Sequence, residues 1–351
     1  MLHFDLTQLQ WNSAIREQLL GQGLDRLPHA MLLVGPPGVG KTAFSEQLAA
    51  LLLCESITPE LEACGQCQAC RWLDAGNHPD FRRVAPDGDE EIEEGASEKV
   101  GDKTRKRSQS IIRIDQIREL ESFVFIGSHR DGNRVVLITE AETMNPAAAN
   151  ALLKILEEPP SSVYFILVSS RTKSLLPTIR SRCRVIPFGA PDATRAAAWL
   201  ASAGLEIQAA RYLDLAGGAP MRVAQWKDQG QLAPIDALVE SLISPPADPI
   251  MLAARWDGLL KGDALFRMEN LVEGVQRWLF DLAQERMAGE VRYHGGWPRP
   301  KGVQSLSPTA VLAAWREINQ FRRSARHPLN QLLFLENLAT CFLRALRPAA
   351  S

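Results

Sequence analysis

Residues 35–42 read Gly-Pro-Pro-Gly-Val-Gly-Lys-Thr, which is the complete pattern of a phosphate-binding loop. Its glycines let the backbone turn tightly, so that successive N–H groups converge on phosphate oxygens. Lys41 is placed to reach the β- and γ-phosphates, and the Thr42 hydroxyl to ligate Mg²⁺. The pattern predicts binding of ATP or ADP with magnesium through Gly35, Gly38, Gly40, Lys41 and Thr42.

A second predicted strand, Val135–Ile138, is followed by the residues that decide whether a bound nucleotide is hydrolysed. Glu140 is placed to polarise a water molecule. Thr139 stands where a magnesium-holding aspartate normally lies, and a hydroxyl is a weaker ligand than a carboxylate for this hard cation. We therefore expect nucleotide binding with weak or absent hydrolysis by this chain.

Four of the six cysteines lie close together in the sequence. Cys64, Cys67 and Cys70 form two overlapping C-x-x-C steps, and Cys54 precedes them. Four thiolates complete the closed tetrahedral site of a structural zinc ion, which leaves no position for a catalytic water. His78 is an alternative fourth ligand, and a group of ordinary buried cysteines is the alternative to a metal site. Cys183 and Cys341 are expected to be small apolar packing groups.

Apolar runs and helix-forming segments alternate in the first half of the chain, and they position the loop. His29–Val34 is predicted as a buried strand before the loop, and Thr42–Leu53 as a helix after it. Val163–Val168 is a further strand, and the helix predicted over Ala147–Leu156 stops before Pro159. Continuous apolar strands that alternate with helices indicate an α/β fold with a parallel sheet covered on both faces.

The 351 residues include 39 basic and 41 acidic side chains, for a formal net charge of -2. This balance argues against a dedicated high-affinity nucleic-acid binder. No run of about 18 apolar residues is present, which excludes a membrane-spanning helix, and the N-terminal residues lack the features of a secretory signal. We expect a cytoplasmic protein of two or three domains, at about 150 residues per domain.

Changes of composition mark the organisation of the chain. Residues 85–110 are rich in charge and poor in apolar side chains, so we expect a flexible, solvated loop. Its basic end, residues 103–107, is an alternative candidate for DNA contact. After Pro191 the chain becomes mostly helical, and the Pro-rich stretch Ser244–Pro249 is predicted as a linker within that helical half.

Several segments together resemble the bacterial clamp-loader ATPases of the AAA+ class. They are His29-Ala30, the phosphate loop, Asn150–Pro160 and Ser181-Arg182-Cys183, while Asn77–Asp80 and Ile114–Arg118 are typical of the stator subunit of that family. The resemblance covers residues from about 10 to 225, and beyond them it rests on helical character and length. Many stators of the family have damaged phosphate loops, so the intact loop here favours nucleotide binding.

The resemblance implies an α/β AAA+ P-loop module over residues 1–188, with a zinc-binding insertion at 54–70. A helical lid over 189–243 and an oligomerising helical collar over 244–351 follow. It implies a stator that helps to load the sliding clamp during DNA replication, as an accessory subunit of a DNA-directed DNA polymerase (nucleotidyltransferase) holoenzyme. The implied partners are the gamma/tau and delta subunits of a hetero-pentamer, with the sliding clamp and primer-template DNA reached through the complex.

The resemblance also assigns three side chains to the chemistry. It implies that Arg182 is an arginine finger that acts in trans on a neighbouring ATPase subunit, where a guanidinium stabilises the transferring γ-phosphoryl. Ser169 aligns with a residue that senses the γ-phosphate, and Arg222 with a lid arginine that contacts nucleotide. The structural alternatives are that Arg182 lies on one face of a strand with Arg180 and Arg184, that Ser169 only ends a strand, and that Arg222 is a surface residue.

Two other function classes remain open from the sequence. One is a self-sufficient AAA+ motor ATPase, such as a gamma/tau clamp-loader subunit or a branch-migration helicase. Thr139 argues against it, because a motor should keep a carboxylate at that position. The other is an interaction protein with a zinc-stapled module and an inert phosphate loop, which would show no saturable nucleotide binding.

Overall fold

The computed structural model describes residues 11–86, 111–125, 132–205, 209–263, 265–325 and 330–347. The chain divides into two compact units, which we call unit 1 (residues 1–191) and unit 2 (residues 192–351). Apart from its first two residues, the predicted solvated loop at 85–110 lies outside the described residues, and so does its basic end. Within the described part, no helix is long and apolar enough to cross a membrane.

Unit 1 is built on a sheet of five parallel strands in the order β2-β3-β4-β1-β5. The strands are β1 (Ala30–Val34), β2 (Phe81–Val84), β3 (Arg134–Ile138), β4 (Val163–Ser169) and β5 (Arg184–Pro187). Strands β1, β3 and β4 were predicted, because they are central and their apolar side chains are buried. The edge strands β2 and β5 carry exposed arginines and show no continuous apolar run in the sequence.

Helices cover the sheet of unit 1. They are α1 (Ser13–Leu20), α2 (Lys41–Leu53), α3 (Gln68–Asp74), α4 (Ile114–Phe125), α5 (Pro146–Glu157) and α6 (Pro177–Arg182). Asn145 caps α5 by accepting a 2.7 Å hydrogen bond from the Ala148 N–H, and Pro146 occupies the first helical turn. The buried faces of α4 and α5 share one apolar core with β1, β3 and β4, and this core makes the sheet a rigid base for the loops at its edge.

The described residues of unit 2 form helices and connecting loops with no strand, which confirms the predicted change to mostly helical character after Pro191. Its helices are α7 (Ala193–Ser202), α8 (Ala209–Leu215), α9 (Pro220–Asp228), α10 (Leu232–Ile243), α11 (Pro249–Gly262), α12 (Met268–Ala288), α13 (Pro308–Ser324) and α14 (Gln331–Ala345). The predicted linker follows α10, and its last residue, Pro249, is the first residue of α11. The finer division of this unit into a lid and a collar stays a prediction.

Asp281 on α12 organises the turn that follows this helix. Its carboxylate accepts hydrogen bonds from the backbone N–H groups of Arg292, Tyr293 and His294, at 2.8–3.2 Å, and lies 2.7 Å from His294 Nδ1. Both side chains are buried, at 1% and 0% exposure. Burial opposes ionisation of Asp281, but the hydrogen bonds from His294 and from the backbone hold its pKa below the ordinary value. Burial also lowers the pKa of His294, so the neutral imidazole donates to Asp281.

We predict that Asp281→Ala lowers the free energy of unfolding by about 3 kcal/mol or more, because several buried donors lose their acceptor. Urea denaturation followed by circular dichroism measures this difference. The matched control is Asp228→Ala, at the exposed end of α9, which should change the free energy of unfolding by no more than about 0.5 kcal/mol. Equal effects of the two substitutions would contradict the role given to Asp281.

Candidate nucleotide and metal sites

The phosphate loop connects β1 to α2, as the sequence predicted. Gly38 and Gly40 have φ angles of 80° and 96°, in the left-handed region that favours glycine. Gly35 packs so closely against the backbone that a Cβ there would lie 2.2 Å from the carbonyl oxygen of Phe188. The loop therefore keeps its tight path because these three positions carry no side chain, and it ends at the amino terminus of α2, where backbone N–H groups favour an anion.

The Lys41 ammonium lies inside this loop. Its Nζ donates hydrogen bonds to the carbonyl oxygens of Gly35 at 2.8 Å and Pro36 at 2.5 Å, and to Ser170 Oγ at 3.1 Å. Burial lowers the pKa of Lys41 to about 8, while the nearby Glu142 carboxylate acts in the opposite direction. A phosphate that enters the loop must therefore replace three neutral oxygen partners of this ammonium.

Thr139 follows β3 and is buried, with 7% exposure. Its N–H donates to the carbonyl oxygen of Val84 at 2.9 Å, and its hydroxyl lies 3.4 Å from the same oxygen. The hydroxyl is thus directed to the backbone of β2. This geometry agrees with the expectation that Thr139 is a poor replacement for a metal-binding aspartate.

The structure brings Glu142 and Ser170 to Lys41, whereas the sequence assigned Glu140 and Ser169. Glu140 is exposed and has a left-handed backbone, with a φ angle of 50°. Glu142 has a side chain only 4% exposed, and its Oε1 accepts a 3.1 Å hydrogen bond from the Ser170 N–H. Ser169 is buried at the end of β4, where its hydroxyl accepts from the N–H of Arg171 at 3.2 Å.

The sequence contained only a partial signal for this pair. Both residues lie within four positions of a predicted strand end, where side chains of parallel sheets meet. The left-handed turn at Glu140 lies between the strand end and Glu142, and a left-handed residue other than glycine is not evident from composition.

Arg182 is the last residue of α6 and lies at the surface. Its Nη2 is 2.5 Å from Glu157 Oε1 at the end of α5, and its Nη1 donates to the carbonyl oxygen of Thr178 at 3.1 Å. The two charged side chains are 34% and 49% exposed. The alternative of three arginines on one strand face is wrong, because Arg180 lies in α6 with Arg182 and only Arg184 belongs to β5.

Arg222 lies on α9 and is paired within unit 2. Its guanidinium forms two hydrogen bonds with the Glu273 carboxylate, at 3.3 and 2.7 Å, and Arg277 also pairs with this carboxylate at 2.5 Å. The Arg222 side chain is 15% exposed, so the alternative of an ordinary surface residue is wrong. A contact between Arg222 and a nucleotide stays a prediction. In such a contact, the Glu273 carboxylate would compete with the phosphates for the guanidinium.

The structure gathers Cys54, Cys64, Cys67 and Cys70 at the end of α2 and the start of α3, with all four sulfur atoms within 4.8 Å of one another. The Cys54 and Cys67 sulfurs are 4.0 Å apart, close to the edge of about 3.8 Å in a tetrahedron with 2.3 Å metal–sulfur bonds. This donor set and spacing can hold one metal ion.

Backbone N–H groups around the cluster favour thiolates. The Cys64 sulfur accepts from the N–H groups of Gln66 and Cys67, and these bonds lower the pKa of Cys64 to about 6. Burial raises the pKa of Cys70, so a bound cation would be needed to ionise this thiol. His78 is buried and its Nδ1 accepts from the Asp80 N–H at 3.1 Å; in the described residues the fourth member of the group is Cys54.

Comparison with known proteins identifies the family. A family profile described as DNA polymerase III, delta subunit, matches residues 16–192. The DNA polymerase III subunit delta' of Pseudomonas aeruginosa is 38% identical over 256 residues, which cover 71% of this chain and 71% of that protein. The chain belongs to the DNA polymerase III delta' family.

A second curated relative and a solved structure are also similar. The delta' subunit of Yersinia pestis is 36% identical over 191 residues, which are 54% of this chain and 50% of that protein. Among solved structures, a DNA polymerase III gamma subunit-related protein from Thermotoga maritima aligns over 97% of this chain and 100% of its own, with 18% identity and a TM-score of 0.44.

We predict that the purified chain carries about one metal ion, and that Cys67→Ser lowers the occupancy strongly by removing one of four ligands. Elemental analysis after gel filtration measures the ratio of metal to protein. The control is Cys183→Ala, because this buried cysteine lies outside the cluster and should leave the ratio unchanged. Metal-free wild-type chain, purified without chelator, would show that the four thiols are ordinary packing groups.

Proposed function

We propose that the chain is the stator of a clamp loader and supplies Arg182 in trans to the nucleotide site of a neighbouring ATPase subunit. The observation that carries this proposal is the position of the guanidinium at the end of α6, where it is one third exposed. Membership in the delta' family supports the wider role, which is to help load a sliding clamp onto primed DNA.

The ion pair with Glu157 is compatible with a role in trans. Both partners are partly exposed, and surface ion pairs contribute about 0–1 kcal/mol, so a neighbouring subunit can take over the guanidinium at small cost. An arginine finger accelerates hydrolysis about 10³–10⁵-fold, which corresponds to about 4–7 kcal/mol of transition-state stabilisation. The cost of leaving Glu157 is therefore small beside the stabilisation that the guanidinium would supply in trans.

The intact phosphate loop supports nucleotide binding by this chain itself. The tightly turned loop provides backbone N–H groups for the phosphates of ATP or ADP, and the buried Lys41 provides a cation. The Thr42 hydroxyl would ligate Mg²⁺. Thr139 supplies no carboxylate, and its hydroxyl is directed to Val84. The combination supports a bound nucleotide that is hydrolysed weakly or not at all.

The four-cysteine cluster fits zinc best, because four thiolates in tetrahedral spacing are its usual structural donors. The ion would join the end of α2 to the start of α3 and so hold the intervening segment in place. A site closed by four sulfurs leaves no position for a water molecule. We therefore assign it a structural role and no catalysis.

Membership in the delta' family supports a proposal for the partners. We propose assembly with gamma/tau and delta subunits, with α11–α14 as the collar and α7–α10 as the lid, and contact with the sliding clamp and primer-template DNA through the complex. Exposed Ile250, Met251, Leu332 and Leu333 at the starts of α11 and α14 are compatible with such packing.

We predict that Arg182→Ala leaves assembly intact but slows hydrolysis at the neighbouring site by roughly 10³-fold, because the transition state loses its guanidinium. Reconstitution with the clamp-loader partners, native mass measurement and single-turnover ATP hydrolysis test this. Arg180→Ala is the matched control, since Arg180 is exposed on the same helix. An unchanged rate for Arg182→Ala would remove this residue from the mechanism.

The same assay separates the stator from the competing motor function. The isolated chain should turn over ATP slowly or not at all. Rapid hydrolysis by the chain alone that is abolished by Lys41→Ala would establish a motor and overturn the stator role.

We predict that nucleotide affinity falls as the pH rises through about 8, where Lys41 loses its proton. The phosphates attract only the protonated ammonium, so the affinity should fall about tenfold between pH 7 and pH 9. Titration with a fluorescent ADP analogue in Mg²⁺ measures this. Lys41→Arg should remove the pH dependence, since a guanidinium stays charged in this range. If the affinity declined equally in both proteins, the pH dependence would belong to another group.

A further inference from the structure

Glu142 carries an unexplained oxygen. Its side chain is 4% exposed, and its Oε2 is buried with no hydrogen-bond partner within the described residues. A buried carboxylate oxygen without a donor is costly, because the water that solvated it has not been replaced. Such an atom calls for a positively charged ligand or another functional explanation.

The groups around Glu142 come from two parts of the fold, the segment after β4 and the start of α2. The Ser170 N–H, after β4, fixes Oε1 at 3.1 Å, and the partly exposed Arg171 guanidinium lies 3.8 Å from the same oxygen. The Lys41 ammonium, at the start of α2, interacts electrostatically with the carboxylate and shares Ser170 with it. The carboxylate is therefore held in one orientation beside the phosphate loop, with one oxygen used and the other free.

We propose that Glu142 is the carboxylate through which the phosphate loop retains a divalent cation together with a nucleoside triphosphate. It would supply the negative charge that Thr139, with its hydroxyl directed to Val84, does not provide. Carboxylate oxygens are the usual protein ligands of Mg²⁺. This inference rests on the proposed nucleotide binding and names the residue that makes such binding depend on metal.

The proposal has an electrostatic consequence that a purely structural role lacks. Without a cation, the Glu142 carboxylate repels a triphosphate in the loop; with Mg²⁺ it is attracted to the complex. If Glu142 only anchored Ser170, an amide would serve as well, because Glu142→Gln keeps an oxygen that can accept from the Ser170 N–H. The two roles therefore differ in the response to magnesium.

Binding of a fluorescent ATP analogue, with Mg²⁺ or with EDTA, tests the proposal. For the wild-type chain, affinity should be much higher with Mg²⁺. For Glu142→Gln, binding in EDTA should strengthen and binding in Mg²⁺ should weaken, so that the ratio of the two affinities falls about tenfold. A ratio within twofold of wild type would overturn the proposal and leave nucleotide binding itself intact.

Two variants serve as controls. Glu121→Gln removes an exposed charge on α4 and should keep the wild-type ratio. Glu142→Asp keeps the negative charge and replaces the glutamine variant if that variant does not fold. Its affinity for the ATP analogue in EDTA should stay within twofold of wild type. An aspartate variant that binds metal-free nucleotide more tightly would contradict the role of the charge. If the wild-type chain, like Lys41→Ala, showed no saturable binding of the ATP analogue, the proposed nucleotide binding would itself be wrong.

Discussion

The Lys41 ammonium joins the loop after β1 to Ser170 after β4, and this contact exists because β1 and β4 are hydrogen-bonded neighbours in a parallel sheet. In a parallel arrangement the carboxyl ends of β1, β3 and β4 meet at one edge. Residues far apart in sequence, such as Lys41, Glu142 and Ser170, therefore meet there, and the candidate nucleotide site depends on the strand order more than on any single side chain.

The sequence predicted the strands and helices whose apolar side chains are buried in the core. Strands β1, β3 and β4 each contain a continuous run of buried apolar residues, and α2 and α5 are bounded by the loop and by prolines, so their patterns are unambiguous. Strand β2, Phe-Arg-Arg-Val, lies at the sheet edge, and half of its residues face solvent. Its pairing with β3 is a tertiary effect that local composition does not reveal.

The sequence predicted the phosphate loop of the candidate site, but it did not predict which acidic and polar side chains lie beside the loop. Spacing identified Lys41 because the phosphate loop has a fixed pattern. Glu142 and Ser170 were not singled out, since the local sequence does not show which side chains after a strand contact Lys41 and each other. The four cysteines were found because metal ligands have characteristic spacing, whereas the pairing of Arg222 with Glu273 joins distant helices.

The most direct test of the account is a structure of this chain crystallised with Mg²⁺ and a non-hydrolysable ATP analogue. The account predicts that the phosphates lie in the loop and that Lys41 Nζ leaves the carbonyl oxygens of Gly35 and Pro36 to contact them. An analogue bound elsewhere, or a loop in which Lys41 keeps all three of its present partners at saturating nucleotide, would contradict the central claim.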